Sequence, residues 1–141
     1  MSTRQIPYSL VIPARVVGIV VLMAIGVAVS IDTRAESVEQ RLLVREKMAG
    51  DNTRELGASR VSFPPNTVLP WHWHSGEEIF FVIKGSITLK RRGQTDVVSR
   101  VGEARSIAPG VIHTGQTGSD GAELVIFRVH AVGEPERYLV N

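Results

Sequence analysis

The chain has 141 residues, 43% of them hydrophobic and 21% charged, with no cysteine and a formal charge of +2. These proportions exclude a disordered or collagen-like chain, and the missing cysteine excludes disulfides, zinc–thiolate sites and a cysteine nucleophile. Any metal must be held by nitrogen and oxygen.

The excess positive charge is local. Residues 1–30 hold Arg4 and Arg15 and no acidic residue, which leaves 14 basic and 14 acidic residues in 31–141. The body of the chain is neutral, so the composition gives no reason to expect nucleic acid as a partner. Behind Arg15 lie fourteen uncharged, mostly apolar residues, Val16 to Val29, and then Ser30. That run fits the apolar core of a signal peptide and falls short of the ~20 residues of a typical spanning helix. Residues 1–30 are therefore expected to be a signal peptide, cleaved after Ser30 by virtue of small Ala28 and Ser30, or an uncleaved membrane anchor. The segment is expected to be an N-terminal hydrophobic helix. Both readings keep the arginines cytoplasmic and export the rest to the periplasm or the cell exterior, free or tethered through residues 16–31. Membrane contact is expected only through this segment.

Residues 31–41 read as a polar linker and 42–141 as one domain. From Arg41 onward, short runs of Val, Ile, Phe and Thr alternate with Gly, Pro, Asn and Asp. Strands are predicted at 42–47, 58–63, 68–73, 78–84, 86–92, 95–100, 105–108, 112–117, 122–131 and 137–140. Lys84-Gly85-Ser86 and Arg92-Gly93-Gln94 read as tight reversals. No 3.6-residue apolar period appears, so the fold class is all-β, a small sandwich or barrel of the jelly-roll kind.

Histidine occurs four times, at 72, 74, 113 and 130. Side chains alternate along a strand, so His72 and His74 share one face while Trp71 and Trp73 take the other. Glu78 follows the turn Ser75-Gly76-Glu77 and shares its strand face with Phe80 and Val82, opposite Ile79, Phe81 and Ile83. A lone carboxylate among bulky apolar residues is costly to bury, and a metal ion accounts for it. His113 offers a third imidazole. Three imidazoles and one carboxylate suit Fe, Mn, Ni, Cu or Zn and leave positions for substrate. Glu77 reads as a solvated loop carboxylate and His130 as a structural or surface histidine. Arg128 is a candidate for meeting a substrate carboxylate.

These residues resemble the cupins. The first cupin motif, G-x5-H-x-H-x3–4-E-x6-G, is matched by His72, His74, Glu78 and Gly85, with Asn66 at the leading glycine. The second, G-x5-P-x-G-x2-H-x3-N, is matched by Gly102, Gly110 and His113, with Ala108 at the proline and Thr117 at the asparagine. The resemblance covers roughly residues 42–131 and implies a cupin jelly-roll β-barrel with a divalent metal held by His72, His74, Glu78 and His113. It looks most like the small single-domain cupins described as quercetin-dioxygenase-like. It thus implies a mononuclear Fe or Mn oxygenase of a small organic molecule, with Glu78 also a candidate catalytic base. A non-enzymatic binding or sensing barrel, and an isomerase or lyase of a sugar or keto acid, are the alternatives. Single-domain cupins resemble one another in pairing through an outer sheet, which implies a homodimer using the rows Ile79/Phe81/Ile83 and Val125/Phe127/Val129.

Overall fold

The computed structural model describes residues 37–140, and the segment expected to direct export lies outside them. Eight strands form one curled antiparallel sheet: β1 (Glu39–Met48), β2 (Asp51–Phe63), β3 (His72–Trp73), β4 (Glu78–Arg91), β5 (Val97–Arg100), β6 (Ala104–Ile107), β7 (His113–Ala131) and β8 (Tyr138–Leu139). No helix occurs among the described residues. The arrangement is the jelly-roll barrel expected from the sequence.

β7 is the hub. Its C-terminal half runs between β2 and β4, and its N-terminal half lies between β4 and β3. One of the two predicted reversals proves to be a bend inside a long strand. Lys84-Gly85-Ser86 does not turn the chain back: β4 continues through it, with register shifts at Val82/Lys84 and Gly85/Ile87. The physical cause is a bulge. Gly85 has φ +68°, and a Cβ there would stand 2.2 Å from the Gly121 carbonyl oxygen of β7. One inserted residue exchanges the two faces of a strand. Before the bulge the buried residues are Glu78, Phe80 and Val82; after it they are Ile87 and Leu89. β7 likewise runs unbroken through 117–122, where two strands are expected from the sequence.

Two other strands differ from expectation. β3 holds only two residues, joined upstream by an isolated bridge from Val68 to Gln116, because Pro70 has no N–H to give a ladder. The polar stretch Asp51–Leu56 is strand, paired with β1 after the turn at Gly50. The Arg92-Gly93-Gln94 reversal is present, closed by Gln94 N–H donating to Arg91 O at 3.0 Å.

The core fills the barrel with Val61, Phe63, Phe80, Val82, Leu124 and Ile126 among others. The outer rows do not pack inside the monomer: Ile79, Phe81 and Phe127 are 47%, 39% and 42% exposed.

Candidate metal centre

Strand pairing brings the three histidines together. His72 on β3 faces His113 on β7 in register, and β3 alternation carries His74 to the same inner side. All three are buried, and their candidate ligand atoms lie within 4.8 Å of one another. Ring centroids are 4.3 Å apart for His72–His113, 5.0 Å for His72–His74 and 5.1 Å for His74–His113.

Each ring is fixed from behind by a backbone carbonyl. His72 Nδ1 donates to Pro70 O at 2.8 Å, His113 Nδ1 to Val111 O at 2.8 Å, and His74 Nδ1 to Glu136 O at 2.5 Å. A carbonyl only accepts, so Nδ1 carries a proton, and in the neutral ring Nε2 presents the lone pair. Burial lowers the His72 pKa to about 4 against the opposing hydrogen bond to Pro70. Burial also lowers that of His113. Both rings are therefore neutral at neutral pH, as a metal ligand requires.

Glu78 completes the group. Its side chain is 6% exposed, and its Oε2 stands 3.0 Å from His74 Nε2 and 2.5 Å from Arg128 Nε. His74 Nε2 makes no hydrogen bond despite this approach. The two buried atoms stand at contact distance with no aligned hydrogen bond between them. Their separation is that of neighbouring ligand atoms around an ion bonded at about 2.1 Å. The orphaned Nε2 is thus an observation that fits a cation at this point. Burial acts to raise the Glu78 pKa, but the His74 ring and the Arg128 guanidinium outweigh it and hold the carboxyl at about 2.

Arg128 lines the cavity, as its strand face implies, and its guanidinium is engaged by carboxylates. Besides Glu78 it holds Glu136 Oε2 through Nη1 at 3.1 Å, and Arg45 and Gln40 also bind the Glu136 carboxylate. It anchors Glu78 and ties the site to β1. No sequence signal marks Glu136, because its contribution to His74 is a main-chain carbonyl that any residue offers.

The other singled-out residues lie apart. Glu77 is exposed and pairs with Arg54 at 3.3 Å. His130 is buried but turned to Glu55, 2.8 Å away, and is structural. Trp73 stacks on Tyr138 with centroids 4.3 Å apart, which pins β8 against β3; Trp71 is partly exposed, and neither lines the cavity beside the histidines. Thr117, at the motif's asparagine position, donates to Pro64 O at 2.7 Å and accepts from Thr67 N at 2.9 Å. It thereby braces the turn in which Asn66 adopts φ 55°.

The cavity beside the imidazoles measures about 410 Å³ and is lined by His72, His113, Glu78, Phe80, Arg128 and Arg137 among others. An antiparallel barrel with three convergent imidazoles, two of them lining such a cavity, defines a class: a β-barrel protein whose interior could hold a metal ion and a small molecule. Residues 59–130 match the family model described as the cupin domain, and the chain belongs to that family.

Solved structures share the fold. The DMSP lyase DddQ from Ruegeria pomeroyi superposes with a TM-score of 0.60 at 19% identity, covering 73% of this chain and 51% of that one. A cupin-like protein from Thermotoga maritima gives a TM-score of 0.60 at 23% identity, covering 74% and 76%. A two-residue deletion mutant of Bacillus subtilis oxalate decarboxylase gives 0.54 at 19% identity, covering 60% and 24%. The chain thus spans about half the length of the first of these. A search of curated proteins by sequence finds no match.

Proposed function

We propose that the domain is a mononuclear metal enzyme acting on a small organic molecule in the barrel, with oxygenase chemistry as the leading reading. His72, His74 and His113 would hold the ion through Nε2, and Glu78 through its carboxylate. The observation that carries the proposal is the set of three Nδ1-anchored rings whose free nitrogens converge beside a cavity. A bound Fe or Mn would supply a Lewis acid and an electron conduit, with open positions for substrate and O2.

Glu78 favours oxygenase over lyase chemistry. A lyase or isomerase needs a general base, and this carboxylate, its pKa held at about 2 and its oxygen paired with Arg128 at 2.5 Å, is a weak one. Its role in this reading is ligand rather than base. The lyase and decarboxylase among the structural neighbours are alike in fold, and at 19% identity they carry no activity across.

The test uses the chain loaded with Fe(II) under an oxygen electrode, with a panel of small organic acids. Oxygen uptake that His113→Ala abolishes is the expected result. Product without oxygen uptake would replace this reading with a lyase or isomerase. Ligand-dependent stabilisation without turnover would make it a binding barrel.

The outer face supports a second copy of the chain as partner. Phe127 pairs with Ile79 and Val125 with Phe81 across β7 and β4, forming an apolar patch on the solvent side. Light scattering after size exclusion is expected to give twice the chain mass, and Phe81→Lys to give a monomer. A wild-type monomer at all concentrations would exclude the dimer.

A further inference from the structure

The cavity beside the histidines carries an unbalanced charge. Three charged side chains line it: Glu78, Arg128 and Arg137. The first two neutralise each other at 2.5 Å. Among the described residues, Arg137 is left over. Its neighbouring carboxylates are engaged elsewhere, Glu134 by the Tyr138 hydroxyl at 2.5 Å and Glu136 by Arg45 and Arg128.

The register of β8 places Arg137. Trp73 pairs with Tyr138 and His72 with Leu139, and this register, extended one residue beyond both strands, sets position 137 opposite His74. Arg137 is nevertheless exposed, which puts it at the mouth of the cavity. Deeper in, the lining is Phe80, Leu89, Ile107, Leu124 and Ile126, all buried. The result is a chamber with apolar walls in its depth, His72, His113 and Glu78 also in its lining, and at its entrance one guanidinium without a carboxylate partner among the described residues.

We infer that Arg137 anchors the carboxylate of a small ligand whose apolar body fills this chamber, a specificity-determining contact. The inference deepens the function proposed above and rests on that reading of the cavity as a ligand site. A guanidinium presents paired N–H donors that match a carboxylate in two parallel hydrogen bonds. One cation matches one negative charge. An amine would meet like charge there. The volume of about 410 Å³ lies toward the lower end of small-molecule sites, so the ligand is compact.

Isothermal titration calorimetry on the full chain tests this with three probes that share one body: hexanoate, hexanamide and hexylamine. Each is titrated into chain stripped of metal and again into chain reloaded with Mn²⁺. Hexanoate is expected to bind the metal-free chain at least about tenfold tighter than either neutral or cationic analogue. Arg137→Gln should bring hexanoate down to the hexanamide level, and Arg137→Lys should restore part of the difference. Because Arg137 is exposed, circular dichroism should be unchanged in both variants. Equal binding of hexanoate and hexanamide, hexanoate affinity indifferent to Arg137→Gln, or no binding of any probe would each overturn the anchor. So would hexanoate binding that appears only with Mn²⁺ and persists in Arg137→Gln, which would place the carboxylate on the metal. Stoichiometric metal uptake accompanied by any of these results overturns the anchor alone. Arg137-dependent hexanoate binding by a chain that takes up no metal overturns the metal-enzyme reading and sustains the anchor.

Discussion

Arg128→Met is expected to destabilise the metal-free chain by about 3 kcal/mol, because removing one member of a buried ion pair strands the charge of the other. Glu78 and Arg128 side chains are 6% and 13% exposed, so water cannot replace the lost guanidinium. Methionine keeps most of the volume and isolates the electrostatic effect. Glu78→Gln in the same chain should recover most of the loss, since the stranded charge is then gone. A divalent ion should also recover part of it by supplying a cation at the same carboxylate. Urea denaturation midpoints of the single and double variants, with and without metal, measure all three effects. An Arg128→Met chain as stable as wild type would mean that the pair holds nothing together.

Gly76→Ala is expected to cost about 3 kcal/mol or more and to weaken metal binding by about 10–100-fold. A Cβ at this position would stand 2.0 Å from the Val129 carbonyl oxygen and 2.7 Å from its carbon. The obstacle is backbone near the C-terminal end of β7, fixed there by Val129 N–H donating to Glu77 O at 2.9 Å, so it cannot swing aside as a flexible side chain would. Relief requires moving the turn 75–77, and that turn sets the distance between His74 and Glu78. Stability and metal affinity should therefore fall together. Gly118→Ala is the control: nothing lies within 4 Å of its Cβ, and a change within about 0.5 kcal/mol is expected. Gly76→Ala with unchanged metal affinity would show that the turn does not set the site.

The candidate site was more legible in the sequence than the strand map was. Alternation alone put His72 with His74 and Glu78 with Phe80 and Val82, because within one unbroken strand segment the period of two is reliable. It failed at Gly85 and at 117–122, where bulges exchange the faces of β4 and β7 and make one strand look like two. A glycine between apolar runs reads equally as a reversal or a bulge, and only the partner strand decides which. The polar start of β2 was hidden for a related reason: it pairs with the exposed edge strand β1 and buries little.

What surrounds the histidines was legible in part. Arg128 was placed on the correct face, but its partners Glu78 and Glu136 come from other segments that pairing alone brings near. Arg137 follows a loop with no motif, and its relation to His74 exists only through the β3–β8 register. The spacing in the sequence identifies the residues that converge. It does not identify the residues that hold them in place.

The most direct test is elemental analysis of the full chain, prepared with metal in excess and without chelators. One transition-metal ion per chain is expected, falling to a small fraction in His72→Ala, His74→Ala and His113→Ala chains that remain folded. A wild-type chain that is folded and empty under those conditions would contradict the assignment of these three imidazoles as a metal site.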